Sequence, residues 1–452
     1  MAESLKMNRL QAKCSILNSP VLKFSALKCS AFHFSVFIKG ILLLSIISLA
    51  TTATAETEFG GHVKFFYTYS DFPTDSVFAQ TANPYREALG NLRLKAQAKQ
   101  GNWDGQLHYV LNGLYSSDLS NCYLRGGIST RGCRELASDQ AQLFDLSGII
   151  SESDDYVLYQ RIDRLVVAYA TEKLVTRVGR QAISWGNGVV YNPLDLFNPF
   201  PPDAIDTEYK RGDDMLYLQG LFDSGSDLQG LYIPRRDPLS GDVSSEQSAV
   251  AGKFHWLNAG HEADLLLARN YGDIILGAAY TGEWRENVIA TSLSVTQTDS
   301  GNVWSAEANY NYSTIIYDKN LTGFIEFFYN GFGLSGDRHS MKDVVDDPAL
   351  FSRLIRGELF TIGRYYLSTG VVLEATPLLN LNPILFVNLS DSSALLQFIG
   401  TYSLSQNFDL LAGVNLPVGK AGTEYGGLET DSGQGKLLAP ADTLFARLAW
   451  YF

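Results

Sequence analysis

Four arginines, Arg161, Arg164, Arg177 and Arg180, fall within twenty residues of one another, and a run of carboxylates follows: Asp195, Asp203, Asp206, Glu208, Asp213 and Asp214. Fixed charges of both signs, close in sequence, suit a charged constriction, because rings of fixed charge are how pores select solutes. Catalytic sets are poorer fits. The six histidines show no i, i+4 pair and no H-E-x-x-H, so they indicate no metal site. Ser335, Asp337 and His339 lie close together, as a barrel-embedded lipid hydrolase would require. Yet Gly333-Leu334-Ser335-Gly336-Asp337 lacks the last glycine of a nucleophile elbow, and a polar external loop explains the three equally well. Arg211-Gly212-Asp213 matches an adhesion tripeptide of a kind that arises by chance.

The arginines sit on two successive predicted strands, near 160–170 and 174–184, joined at Thr171-Glu172-Lys173. A charged side chain facing lipid costs roughly 2–4 kcal/mol at the midplane, so at least some must face a wet lumen. Arg177 and Arg180 differ in parity. One therefore lies near a rim, or the strand carries a bulge, for which Gly179 is the candidate. The loop that follows, 186–214, is about 28 residues long and stiffened by Pro193, Pro199, Pro201 and Pro202. Leu194, Leu196, Phe197 and Phe200 can pack it against a wall. An acidic loop entering an arginine-lined lumen would form the constriction, with Arg164, Arg177 and Arg180 positive, Gln181 beside them, and Asp203, Asp206 and Glu208 negative. Trp185 would brace the loop base or anchor at an interface.

What could carry such a lumen is visible in the rest of the chain. Runs of about nine to twelve residues alternate in character and are cut by polar turns, which is the length and dyad pattern of membrane barrel strands. In 59–70, Phe59, Val63, Phe65, Tyr67 and Tyr69 share one face, and His62, Lys64, Thr68 and Ser70 the other. In 91–99, Arg93, Lys95, Gln97 and Lys99 oppose Leu92, Leu94, Ala96 and Ala98. Alternation alone would also fit a soluble sandwich. Three features favour the membrane: abundant Tyr (24) and Phe (25) near strand ends, an export leader, and long loops that alternate with short turns. Short turns fall at Asn258-Ala259-Gly260, Asp318-Lys319-Asn320 and Ser405-Gln406-Asn407, long ones near 116–155, 186–214, 330–355 and 418–441. Eighteen strands are counted; sixteen fits nearly as well.

The two ends agree. Residues 1–55 carry six basic side chains against Glu3, then an apolar run from Gly40 to Ala50 and small residues at Ala53 and Ala55, which fits a cleaved secretory leader, with translation from Met1 or Met7. The last segment alternates Leu444, Ala446, Leu448, Trp450 and Phe452 with polar positions such as Arg447. A terminal aromatic there resembles the signal read by the outer-membrane barrel-assembly machinery, with Trp450 and Phe452 carrying it. Net charge is −13 for the chain and about −18 once the basic leader is removed, which argues against nucleic-acid binding. Beyond the leader only Cys122 and Cys133 remain, and two cysteines in an exported loop most simply form one disulfide.

The stretch Gly179-Arg180-Gln181, three residues, then Trp185-Gly186, leading into the Asn-Pro and Asp-rich loop, resembles a motif of outer-membrane barrels related to alginate-export and other substrate-specific porins, and more so an uncharacterised branch of them. The resemblance is strongest over about 160–220. It implies passage or binding of small solutes and does not name the solute. The expectation is thus an all-β chain: a leader at 1–55, then a transmembrane antiparallel β-barrel of about 18 strands at 56–452, in a Gram-negative outer membrane. Its expected activity is passive, partly selective passage of small solutes through a lumen narrowed by the 186–214 loop. Expected partners are the bilayer, lipopolysaccharide, the assembly machinery and small solutes, without a cofactor; a homo-oligomer is left open. A plugged accessory barrel for an export system is the alternative, and a barrel hydrolase a lesser one.

Overall fold

The computed structural model describes residues 56–80, 82–119, 138–430 and 435–452. The leader and the Cys122–Cys133 pair lie outside these residues. The chain order is β1 (Glu56–Asp71), β2 (Tyr85–Gln100), β3 (Trp103–Ser116), β4 (Ser147–Glu152), β5 (Tyr156–Ala170), β6 (Leu174–Gln181), β7 (Asp213–Leu221), β8 (Asp227–Ile233), β9 (Ala249–Asn258), β10 (His261–Asn270) and β11 (Asp273–Trp284). There follow β12 (Asn287–Thr298), β13 (Gly301–Ile316), β14 (Lys319–Tyr329), two short helices α1 (Met341–Val345) and α2 (Pro348–Arg356), β15 (Tyr365–Thr376), β16 (Leu379–Asn388), β17 (Ser393–Ser405), β18 (Phe408–Val418), a small β19 (Leu428–Glu429) and β20 (Leu437–Leu438) pair, and β21 (Asp442–Tyr451).

Each large strand pairs antiparallel with its neighbours, and β21 pairs with both β18 and β1, so the sheet closes. Closure is what lets a sheet enter lipid, since no edge is left with unpaired backbone groups. Nineteen strands share this sheet, but β4 and β6 occupy the same edge of β5, at Val157–Arg161 and Leu165–Ala170 respectively. The barrel therefore has eighteen positions, and each coincides with an expected strand; the short β4 was not anticipated.

Period-two patterning sets the two faces. On β10 the outward Leu265 and Leu267 are 62% and 57% exposed, whereas Leu266 and Ala268 between them are buried. On β14 Ile325 and Phe327 point out, and Glu326 and Phe328 are buried on the inner face. A band of large apolar residues thus lies outside, while the inner face carries the buried polar residues together with an apolar patch on β7–β10, unlike the wet outer face of a water-soluble sandwich.

One rim carries only short turns: 101–102, 171–173, 222–226, 259–260, 285–286, 317–318, 377–378 and 406–407. The β13–β14 turn is centred on Tyr317 and Asp318, both at positive φ, one residue before the expected position. All long connections rise from the opposite rim. The 330–364 connection is not all loop. Ser340 and Asp343 form a capping box for α1. Asp347 caps α2, Pro348 opens it, and left-handed Gly357 closes it, so the connection runs beyond the expected 330–355 and β15 starts at Tyr365. Val344, Leu350 and Ile362 bury against Leu428 of the 419–441 connection, forming an outer cap.

Candidate functional site

The loop 182–212, between β6 and β7, spans the lumen, because its three parts are matched to three different walls. One set of contacts is apolar and joins residues from either side of the 189–191 segment. Trp185 and Phe197 meet edge to face at 5.6 Å and bury with Met215, Tyr217, Leu231, Ile233 and Leu266 on the inner face of β7–β10. Trp185 Nε1 donates to Gln229 Oε1 at 2.8 Å. The indole thus braces the base of the loop and does not lie at a lipid interface.

The middle reaches the far wall. The backbone N–H groups of Val189, Val190 and Tyr191 all donate to the Glu326 carboxylate on β14, at 2.6, 3.1 and 2.7 Å. Tyr191 stacks on Phe328 with ring centroids 4.8 Å apart and also touches Tyr366. Gln397 of β17 donates to the Asp203 carbonyl at 3.0 Å. Ile205 packs on Ile399, Leu411 and Phe445.

The last part is acidic and meets a basic wall. Lys64 Nζ of β1 donates to Asp206 at 2.7 Å and Glu208 at 2.5 Å, and Arg447 of β21 stands 3.7 Å from Asp206. Burial pushes the Asp206 carboxyl up, but Lys64 and then Arg447 outweigh it and hold the group below the usual carboxylate range. Tyr209 lies in a basic nest. The Arg93 guanidinium is 4.0 Å from its ring centre, and Lys95 Nζ donates to its hydroxyl at 3.2 Å. Arg164 donates to the carbonyl of Lys210 and to Asp163, which Arg93 shares at 2.7 Å. Lys210 closes the loop on itself, bonding Asp195, the Ile183 carbonyl and Ser184.

The expected site residues separate in space. Asp206, Glu208 and Arg164 lie at the loop–wall contact, with Asp203 placed there through its carbonyl. Arg180 instead is buried in a polar knot with Asp139, Asp214 and the carbonyls of Phe144 and Ile162. Gln181 is buried beside it, opposite Asp213. Arg177 is exposed, its guanidinium 5.5 Å over Tyr217. Gly179 does take a φ of +119°, but the β5–β6 register runs unbroken past it. The bulge sits at Asp163 on the β3–β5 ladder, where His108 pairs with Arg164 and Tyr109 with Ile162. That extra residue restores the parity of Arg161 and Arg164, so both share the inner face with Val110 and His108.

Sequence reasoning did not assign Lys64, Arg93, Lys95, Arg447 or Glu326 to the constriction. The available signal was a charge on the polar face of a strand-length run. In the outer loops, Ser335 is exposed and His339 buried, and among the described residues no hydrogen bond joins them.

The fold and site define a class: an eighteen-stranded membrane barrel whose lumen is crossed by an inward loop. No family model matches the chain, and no curated protein matches its sequence. Solved structures do. OccK5 (OpdH) of Pseudomonas aeruginosa superposes with a TM-score of 0.51 at 9% identity, over 88% of this chain and 98% of that one. OccAB2 of Acinetobacter baumannii and a BenF-like porin of Pseudomonas fluorescens Pf-5 each give 0.49 at 10% identity, with the same two coverages. At such identities the likeness is one of fold alone, that of OccK5 (OpdH).

Proposed function

We propose that the protein is an outer-membrane channel of a Gram-negative bacterium that passes small solutes through a lumen narrowed by residues 182–212. The observation that carries this reading is that a loop rooted between β6 and β7 is anchored to Glu326 on β14, eight strand positions from β6, and to Lys64 on β1, so it crosses the bore. The Gly179–Gly186 motif, with its resemblance to substrate-specific and alginate-export porins, supports selective rather than general passage.

Small anions are the favoured solutes. Around Tyr209, five cations (Lys64, Arg93, Lys95, Arg164 and Arg447) face three carboxylates (Asp163, Asp206 and Glu208), and among the described residues Lys95 forms no ion pair. A positive excess in a narrow lumen concentrates anions. The constriction residues in this reading are Lys64, Arg93, Lys95, Arg164, Asp206 and Glu208, with Trp185 holding the loop base. Swelling of liposomes carrying the protein, in isotonic small carboxylates, neutral sugars and amines, tests it. Faster swelling in carboxylates supports it; equal or slower swelling opposes it.

The same reading includes cleavage of a leader near residue 55, a Cys122–Cys133 disulfide in the 116–155 connection, and recognition of Trp450 and Phe452 by the assembly machinery. A plugged accessory barrel is the second reading, favoured by the number of fixed contacts between loop, cap and wall. It requires a folded protein that conducts no ions.

A further inference from the structure

Between the lumen loop and the 330–364 connection lies a partly open cavity of about 110 Å³, away from the basic wall around Tyr209. Three elements enclose it. The loop contributes Pro199, Phe200 and Pro202, the 330–364 connection contributes Phe332 and Phe360, and β12 contributes Ser294 and Thr296. Rings and prolines thus form two of its walls and hydroxyls the third. Ser294 and Thr296 stand two positions apart on the inner face of β12, each 5% exposed, and among the described residues neither hydroxyl has a hydrogen-bond partner. A buried hydroxyl left unpaired costs free energy, so a polar group brought into the cavity is held there.

Every charge that borders the cavity is already answered. Asp195 pairs with Lys210, and Arg353 pairs with Asp273 while lying 3.8 Å from the Phe332 ring centre. Glu358 accepts from Arg356 at 2.8 Å and from Asn270 at 2.7 Å. A charged solute would shed its hydration there and find no free counter-charge. Size sets the other limit. An enclosed apolar cavity of about 150 Å³ takes one benzene, so this smaller one, with its open side, takes a single six-membered ring and nothing larger.

We propose that this cavity is a docking site for an uncharged ring that carries a hydroxyl, a phenol, seated between the proline-rich arm of the loop and the 330–364 connection. The ring lies against Phe200, Phe332 and the prolines. Its hydroxyl donates to one of the Ser294 and Thr296 oxygens and accepts from the other. The site goes beyond the channel reading: anion preference belongs to the cations around Tyr209, whereas this cavity takes a solute without charge.

The test is photolabelling of the purified, folded protein in detergent at neutral pH with 4-azidophenol, the label being mapped by peptide mass spectrometry. Label is expected in 190–202 and 353–361, suppressed by excess phenol and not by benzoate. Thr296→Leu, which fills the cavity, should lower that label about tenfold. Ser294→Ala should weaken protection by phenol about threefold, the worth of a modest hydrogen bond. Peptides from the lipid-facing strands report partition into detergent and serve as the reference, and heat-modifiable mobility shows that each variant is folded. Absence of phenol-protected label in the two segments, equal label in folded T296L, or unchanged protection in S294A overturns the site. Protection by benzoate as strong as by phenol overturns its assignment to uncharged solutes. None of these outcomes requires conduction, so failure of the channel reading is seen separately.

Discussion

Lys64 Nζ lies within 2.7 Å of both the Asp206 and the Glu208 carboxylates, so one buried lysine on the first strand fixes the acidic end of a loop that begins more than a hundred residues later. The lysine side chain is almost wholly enclosed, whereas Glu208 keeps about a third of its surface in the lumen. The pair is therefore both an anchor and part of the wall that a solute meets.

Replacing Lys64 with Met should loosen this end of the loop and lower the positive excess. Removing one partner of a buried pair costs on the order of 3 kcal/mol. The variant is expected to unfold at a lower urea concentration and to show weaker anion preference in reversal potential. Unchanged selectivity would detach Lys64 from the constriction.

Arg180 and Arg177 should behave differently despite their adjacency. Arg180→Ala leaves buried Asp214 without its arginine, whereas Asp139 keeps Arg161 and Arg211, and should cost on the order of 3 kcal/mol in folded-barrel stability. Arg177→Ala removes an exposed cation over Tyr217 and should leave both stability and conductance within error. In sequence their differing parity says that one of the two lies near a rim or beside a bulge, but not which. Both look like lumen charges on one strand, and only the position of β4 beside the end of β6 shows that Arg180 closes a gap in the wall.

Most of the barrel was legible for the reason that Arg180 was not. Strand length and alternation depend on local sequence, so eighteen runs could be located from Phe59 to Tyr451. Which polar side chain meets which depends on where a thirty-residue loop lands, and nothing local encodes that. Tyr191 and Glu326 are 135 positions apart. The lone acid between Ile325 and Phe327 was nevertheless a usable sign, since a mid-strand carboxylate on the inner face needs a partner. The helices α1 and α2 were missed because their caps, Ser340 and Asp347, are also ordinary loop residues.

Glu424, in the 419–441 connection, should make cap stability depend on pH. Burial pushes its carboxyl from the ordinary 4.5 up to about 7, against the opposing hydrogen bond from the Tyr366 hydroxyl at 2.6 Å. Because the neutral form is favoured in the folded state, the contribution is fully present below about 4.5 and is lost as pH rises through 7. The expected loss is on the order of 3 kcal/mol. Protease resistance of the cap measured from pH 5 to 8 should fall, and E424Q should flatten the profile. Increasing resistance with pH would contradict the assignment.

Phe452 pairs with Gly61 through both backbone bonds, N–H to O at 2.8 and 3.1 Å, and its ring lies against the space a Cβ on Gly61 would occupy. Deleting Phe452 should lower the amount of heat-modifiable, folded barrel in outer-membrane fractions. Gly61→Val should do the same by displacing the ring. Normal levels of both variants would remove the terminal residue from assembly.

Single-channel recording of the purified protein in planar bilayers, with reversal potential under a salt gradient, tests the central claim most directly. The account predicts discrete, small conductance steps and a reversal potential on the anion-selective side. A correctly folded barrel that stays silent, or one that conducts in large steps without ion preference, would contradict it.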